Sequence, residues 1–181
     1  LVFEGRAWYY AQSGNLLDNF STGANFYPWL ISFLYAFTDR SPLMMQAVNV
    51  FIGTSIVFQT YEITNILWGR RTAYLAAWLT AFFPTLALRS AITLRETFFV
   101  FFVSLGAVSI VRWNKKNSTT ELIKSYLYFI AASLFHTIGF FLIIAEFSMM
   151  VLSFFKRRVS ASSITQFLLA LTVIAIVIAT G

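Results

Sequence analysis

Glu4, Arg6, Tyr9, Tyr10, Arg89, Arg95, Glu96 and His136 are the residues whose types could do polar chemistry at one place. An arginine can grip a phosphate through two parallel N–H donors. A carboxylate can take the proton of an attacking hydroxyl, and tyrosine rings pack against sugar faces. Such a set suits a substrate that carries both a phosphate and a sugar. Other chemistries are closed. The chain has no cysteine, which excludes disulfides, thiolate catalysis and cysteine zinc sites, and its single histidine, His136, excludes a histidine-based metal cluster.

The elements that must position these residues are set by composition. The chain has 181 residues, 59% hydrophobic, 19% aromatic and only 11% charged, with a mean hydropathy of +0.74. A soluble domain carries about 25% charged residues, so the sequence predicts an all-α polytopic membrane protein. The net charge of +6 does not point to nucleic acid, because the basic residues form short clusters between apolar runs rather than a stripe. They read as topology signals.

Residues 1–41 are expected to form an outer loop with interfacial helices, and 42–181 a transmembrane bundle truncated at both ends. The start at Leu1 without an initiator Met, and the end at Gly181 directly after an apolar run, read as a fragment. The apolar run Phe26 to Phe37 would make a helix of about 18 Å, short of a hydrocarbon core of about 30 Å, so it reads as an interfacial helix. Leu43 to Trp68 is the first full span, Thr72 to Leu88 a second of marginal length with Pro84 near its end, and Thr97 to Trp113 a third. Ser125 to Phe155 overshoots one crossing and falls short of two. Two half-length helices with a break near His136-Thr137-Ile138-Gly139, a re-entrant-like hairpin, are expected. Ile164 to Ala179 begins a further span.

With that hairpin, nine of the thirteen Lys and Arg residues fall on one side: Arg70, Arg71, Arg112, Lys115, Lys116, Lys124, Lys156, Arg157 and Arg158. The positive-inside rule makes that side cytoplasmic. The N-terminal segment, the Arg89 to Glu96 loop and the hairpin tip then share the outer face, together with all eight candidate residues.

The stretches YPWLISFLYAFTDRSP and LWGRRTAYLAAWLTAFFPTLALRSAITLRETFFVFF, between Tyr27 and Arg112, resemble membrane glycosyltransferases of the GT-C class. The resemblance is to the bacterial branch related to dolichyl-phosphate-mannose protein mannosyltransferases and to exopolysaccharide and O-antigen assembly enzymes. It implies a GT-C-like helical bundle in a bacterial inner membrane with its active face extracytoplasmic. It also implies a polyprenyl-phosphate-linked sugar donor and a catalytic acid in the first outer loop, in a pattern like Asp-x-x-x-Tyr followed by Ala. Glu4-Gly5-Arg6-Ala7-Trp8-Tyr9-Tyr10-Ala11 departs from it, with Glu for Asp and Trp8 at the tyrosine position. Glu4 is the implied base, and an acid preceding Leu1 is the alternative. Arg89, Arg95 and Glu96 resemble outer-loop residues that contact the donor phosphate or the catalytic loop, and His136 resembles a histidine of exopolysaccharide polymerases.

Each residue also has a structural role available. Glu4 could cap or solvate an interfacial helix. Arg95 and Glu96 could brace their loop, although neighbours on a helix do not face one another. His136 could be a hydrogen-bonded structural group. Glu146 reads as structurally paired, and Asn49, Gln59 and Glu62 as interhelical hydrogen-bonding groups, with Glu62 drawn toward Arg70 and Arg71. The expected partners are the lipid-linked donor and membrane lipids. The residues name neither acceptor nor cofactor and leave a divalent metal open. An O-antigen or exopolysaccharide polymerase, a non-catalytic membrane subunit and a transporter are the alternatives.

Overall fold

The computed structural model describes residues 2–13, 20, 25–83, 95–116 and 118–155. Among them are seven α-helices and no strand. They are α1 (Val2–Gln12), α2 (Phe26–Thr38), α3 (Pro42–Trp68), α4 (Arg70–Ala81), α5 (Arg95–Lys116), α6 (Thr119–Phe135) and α7 (Ile138–Phe155). The chain divides into two compact units, residues 1–139 and residues 140–181. The first groups α1 and α2 with α3, α4, α5 and α6.

Helix α3 starts where Ser41 accepts a hydrogen bond from Met44 N–H and Pro42 occupies the first turn, a position in which proline forfeits no intrahelical bond. It ends at Gly69, whose φ of 87° suits a residue without a Cβ and whose N–H donates to the Asn65 carbonyl. Its inward stripe is Met45, Asn49, Gly53, Ile56, Gln59 and Thr64, while Leu43, Val50, Phe51, Phe58 and Leu67 face outward. Phe51 is 75% exposed and Asn49 fully buried, the reverse of a helix built for water. Helices α3 and α5 are long and apolar enough to cross a membrane.

Three hydrogen-bonded levels tie α3 to its neighbours. Asn49 Nδ2 donates to the Tyr27 hydroxyl at 3.0 Å, Ser104 donates to Gln59 Oε1, and Arg112 pairs with Glu62. The expected interhelical roles of these three α3 residues are thus filled, but Glu62 turns to Arg112 of α5 instead of Arg70 or Arg71. Arg70 is engaged by Tyr74 one turn along its own helix, at 3.0 Å. The pairings make α3 and α5 run in parallel. Arg112 also lies 3.8 Å from Glu121 at the start of α6, and Phe98 stacks on Phe135 at its end, so α6 runs antiparallel to α5 over its length.

The break expected near His136 falls between α6 and α7. The half-length expectation fails for α7, which has 18 residues, and equally for α6. Helix α6 opens at Thr119 in the polar loop, with Glu121 in its first turn favoured by the helix dipole, and reaches 17 residues, about 25 Å. In α7, Glu146 is buried. Helix α4 is described over 12 residues. Pro84, the remainder of the expected second passage, and Ile164 to Ala179 lie outside the described residues.

One end of the first unit holds α1, α2, the starts of α3 and α5 and the end of α6. Its core is Ala7, Phe26, Tyr27, Ile31, Tyr35, Met45, Phe98 and Phe135. Among the described residues the opposite end holds Arg70, Arg71, Arg112, Lys115, Lys116 and Lys124, with the acids Glu62 and Glu121.

Two glycines mark where helices press together. A Cβ on Gly106 would lie 2.5 Å from the Phe129 ring, and one on Gly139 would lie 2.5 Å from the Ser133 backbone nitrogen. Alanine's better helix propensity, about 1 kcal/mol, is outweighed at both sites by overpacking that costs about 1–3 kcal/mol. Gly139→Ala should lower the thermal unfolding midpoint in detergent more than Gly106→Ala does, since a ring can shift and a backbone turn cannot.

Candidate functional site

The aromatic end is built on α1 and α2, whose spacing brings rings together rather than charges. Phe3 of α1 meets Tyr27 edge-on at 6.0 Å, Trp8 meets Tyr35 at 6.3 Å, and Tyr27 meets Phe98 of α5 at 5.4 Å. Tyr27 therefore sits between the helix that carries Glu4 and the helix that opens with Arg95 and Glu96. Both groups of candidates belong to one end of the unit.

Glu4 is buried, and Arg40 holds both its oxygens, with Nε to Oε1 at 2.6 Å and Nη2 to Oε2 at 3.1 Å. The Arg40 side chain is 50% exposed. The hydrogen bonds from Arg40 hold the Glu4 carboxyl below its ordinary value, against the opposing effect of burial. The same pair raises Arg40 above the usual guanidinium value. Glu4 is accordingly an ionised, charge-compensated carboxylate at neutral pH. The expected solvating or capping role is replaced by a bidentate link between α1 and the α2–α3 turn.

Arg40 is the residue that sequence reasoning passed over as part of a polar connection. Nothing local signals its partner, which lies 36 residues away. The signal available was Asp39-Arg40-Ser41-Pro42 itself, a sharp turn before a proline. Asp39 has φ 60° and ψ 179°, a region occupied almost only by glycine, which costs about 1–3 kcal/mol. That turn redirects the chain from α2 into α3 beside the arginine that meets α1.

Arg6 is exposed and donates to Asn25 Oδ1 at 2.8 Å, which ties α1 to the start of α2. Tyr9 is exposed, and its ring lies 6.1 Å from that of Tyr10. Arg95 Nε stands 3.6 Å from Glu96 Oε1. Adjacent residues on a helix were not expected to face one another, yet these two side chains come within ion-pair distance. Among the described residues Arg95 Nε and Glu96 Oε2 are buried without a hydrogen-bond partner. His136 ends α6, its ring 5.5 Å from Phe99, and its Nδ1 accepts from Ile138 N–H at 3.3 Å, a cap on the first turn of α7. Arg89 lies outside the described residues.

No hydrogen bond or ion pair among the described residues joins Glu4 or Arg6 to Arg95, Glu96 or His136. The two groups share an end and a core, with Tyr27 between them. Among the described residues no three His, Asp or Glu side chains gather as a metal site. No family model, curated protein or solved structure matches the chain.

The Glu4–Arg40 pair has a definite pH signature. Because the folded carboxyl lies below its ordinary value of 4.5, its contribution to stability is present above that value and disappears as pH falls through the folded value. Acidification below about pH 4 should expose α1 to protease while the bundle stays folded, and Arg40→Gln should abolish that acid dependence. Asp39→Gly should relieve the turn and raise stability by about 1 kcal/mol, less whatever the added chain freedom removes, as read by thermal unfolding.

Proposed function

We propose that the chain is embedded in a bacterial inner membrane, belongs to a polytopic bundle of the GT-C kind, and transfers a sugar from a polyprenyl-phosphate-linked donor at its aromatic, extracytoplasmic end. What carries the reading is the gathering, around Tyr27 and Phe98, of a carboxylate–arginine pair on one side and the under-satisfied Arg95 and Glu96 on the other. The outward apolar face of α3 supports the bilayer setting. The excess of basic residues at the opposite end supports its orientation, since cytoplasmic loops collect Lys and Arg.

In this reading the donor phosphate takes guanidinium donors from Arg95 and Arg40, and the aromatic rings of α1 flank the sugar. An acceptor hydroxyl oxygen bonds to the anomeric carbon as the bond from that carbon to the phosphate oxygen breaks. The phosphate leaves with the electron pair, and the hydroxyl proton passes to Glu4. Arg40 links the two events. When its guanidinium turns to the phosphate, Glu4 loses the hydrogen bonds that depress its proton affinity and becomes a better base when the donor is bound. His136, as a cap, positions the α6–α7 turn beside Phe99.

A second reading, a non-catalytic membrane subunit, is favoured by the fact that Glu4, Arg6 and His136 each already have a structural task. The two part at Glu4→Gln in reconstituted vesicles supplied with a radiolabelled polyprenyl-phosphate sugar. For a general base the substitution should lower transfer at least about 100-fold while the thermal midpoint moves little. Wild-type transfer by the variant would sink the assignment of Glu4, and no transfer by any form would favour the subunit.

A further inference from the structure

The opposite end of the first unit carries a site that the transfer reading does not use. A cavity of about 320 Å³ opens among Glu62, Ile66, Arg112, Lys115, Lys116 and Glu121, the lower range of small-ligand pockets, roughly 300–1,000 Å³. Its acids are already answered, Glu62 by Arg112 and Glu121 by Lys124 at 2.9 Å. Among the described residues no carboxylate lies within ion-pair distance of Lys115 or Lys116. The cavity therefore offers two ammonium groups that make no ion pair, Lys116 acting on Glu121 only at longer range, beside a paired guanidinium, so that cations outnumber acids in its lining.

A second, mostly apolar groove of about 250 Å³ adjoins it, sharing Ile66 and Lys115 and walled by Leu67, Ile110 and Val111. A cationic cup that continues into an aliphatic groove, between the ends of two helices long enough to cross a membrane, has the form of one kind of ligand. We infer that this end binds an anionic phospholipid of the leaflet it faces. The phosphate would sit against Lys115, Lys116 and Arg112, and an acyl chain would lie along Ile66, Leu67, Ile110 and Val111. A free phosphate would use the cup and leave the groove empty. The site requires the chain to be embedded in a membrane but is independent of the transfer reaction.

The test uses the whole chain in detergent, with binding of phosphatidylglycerol, phosphatidylcholine and inorganic phosphate each followed by native mass spectrometry. The lysines are exposed, so the Lys115→Gln/Lys116→Gln double variant should keep its fold. It should bind phosphatidylglycerol about tenfold more weakly than the wild type, while phosphatidylcholine binding, weak in both, should not change. Arg70→Gln/Arg71→Gln removes the same charge from the same end outside the cavity and should change binding less than about twofold. An equal loss in both double variants would reduce the effect to diffuse charge and overturn the site. Displacement of the lipid by millimolar inorganic phosphate would overturn the lipid as its occupant, and unchanged binding in the lysine variant would overturn the inference altogether.

Discussion

Phe135 is the contact on which the first unit turns. Its ring stacks on Phe98 at 5.2 Å and on Phe102 at 5.7 Å, and meets Phe26 edge-on at 4.9 Å. One side chain at the end of α6 thereby holds α2 and α5 together. Pairs of this kind contribute about 0.5–1.5 kcal/mol each beyond the area they bury. In hydrocarbon, where neighbouring helices gain little from burying apolar surface that lipid already covers, such packing and interhelical hydrogen bonds carry association. Helix α1 attaches to this junction through Tyr27, and the next residue, His136, turns the chain into α7.

Along the bundle the same economy appears in polar form. Asn49, Gln59 and Glu62 reach across to Tyr27, Ser104 and Arg112 at successive heights. Each of these three side chains, which a bilayer would penalise, is thereby given a protein partner. Small residues serve other contacts, Gly106 letting Phe129 of α6 lie against α5 and Gly139 lying close to the Ser133 backbone. The result is a unit with two chemically different ends: balanced charges set among aromatic rings at one, and an excess of cations beside aliphatic grooves at the other.

That division gives Glu4 an unusual setting. Its carboxylate is neither solvated nor free but clamped by a half-exposed arginine, so its chemistry depends on where Arg40 is engaged. A binding event that draws on Arg40 would be felt at Glu4 without any movement of the helices. The charge balance of this end follows from such pairings, and the basic end lacks them at Lys115 and Lys116.

Much of this was legible in the residues alone, because hydropathy and helical period are local. The all-α character, the extents of α3 and α5, the break at His136 and the sharing of one end by the N-terminal helices, Arg95, Glu96 and His136 follow from run lengths, breakers and the placement of Lys and Arg. Only the tertiary structure decided which charges meet. Arg40 lies 36 residues from Glu4, and Arg112 lies 50 from Glu62; in each case a nearer arginine, Arg6 or Arg70, was available and is turned to another partner. The length of α6, too, was hidden, because its first turn is polar and contributes nothing to an apolar run. Pairing across such separations is set by the phase and crossing of packed helices, and no local pattern carries that information.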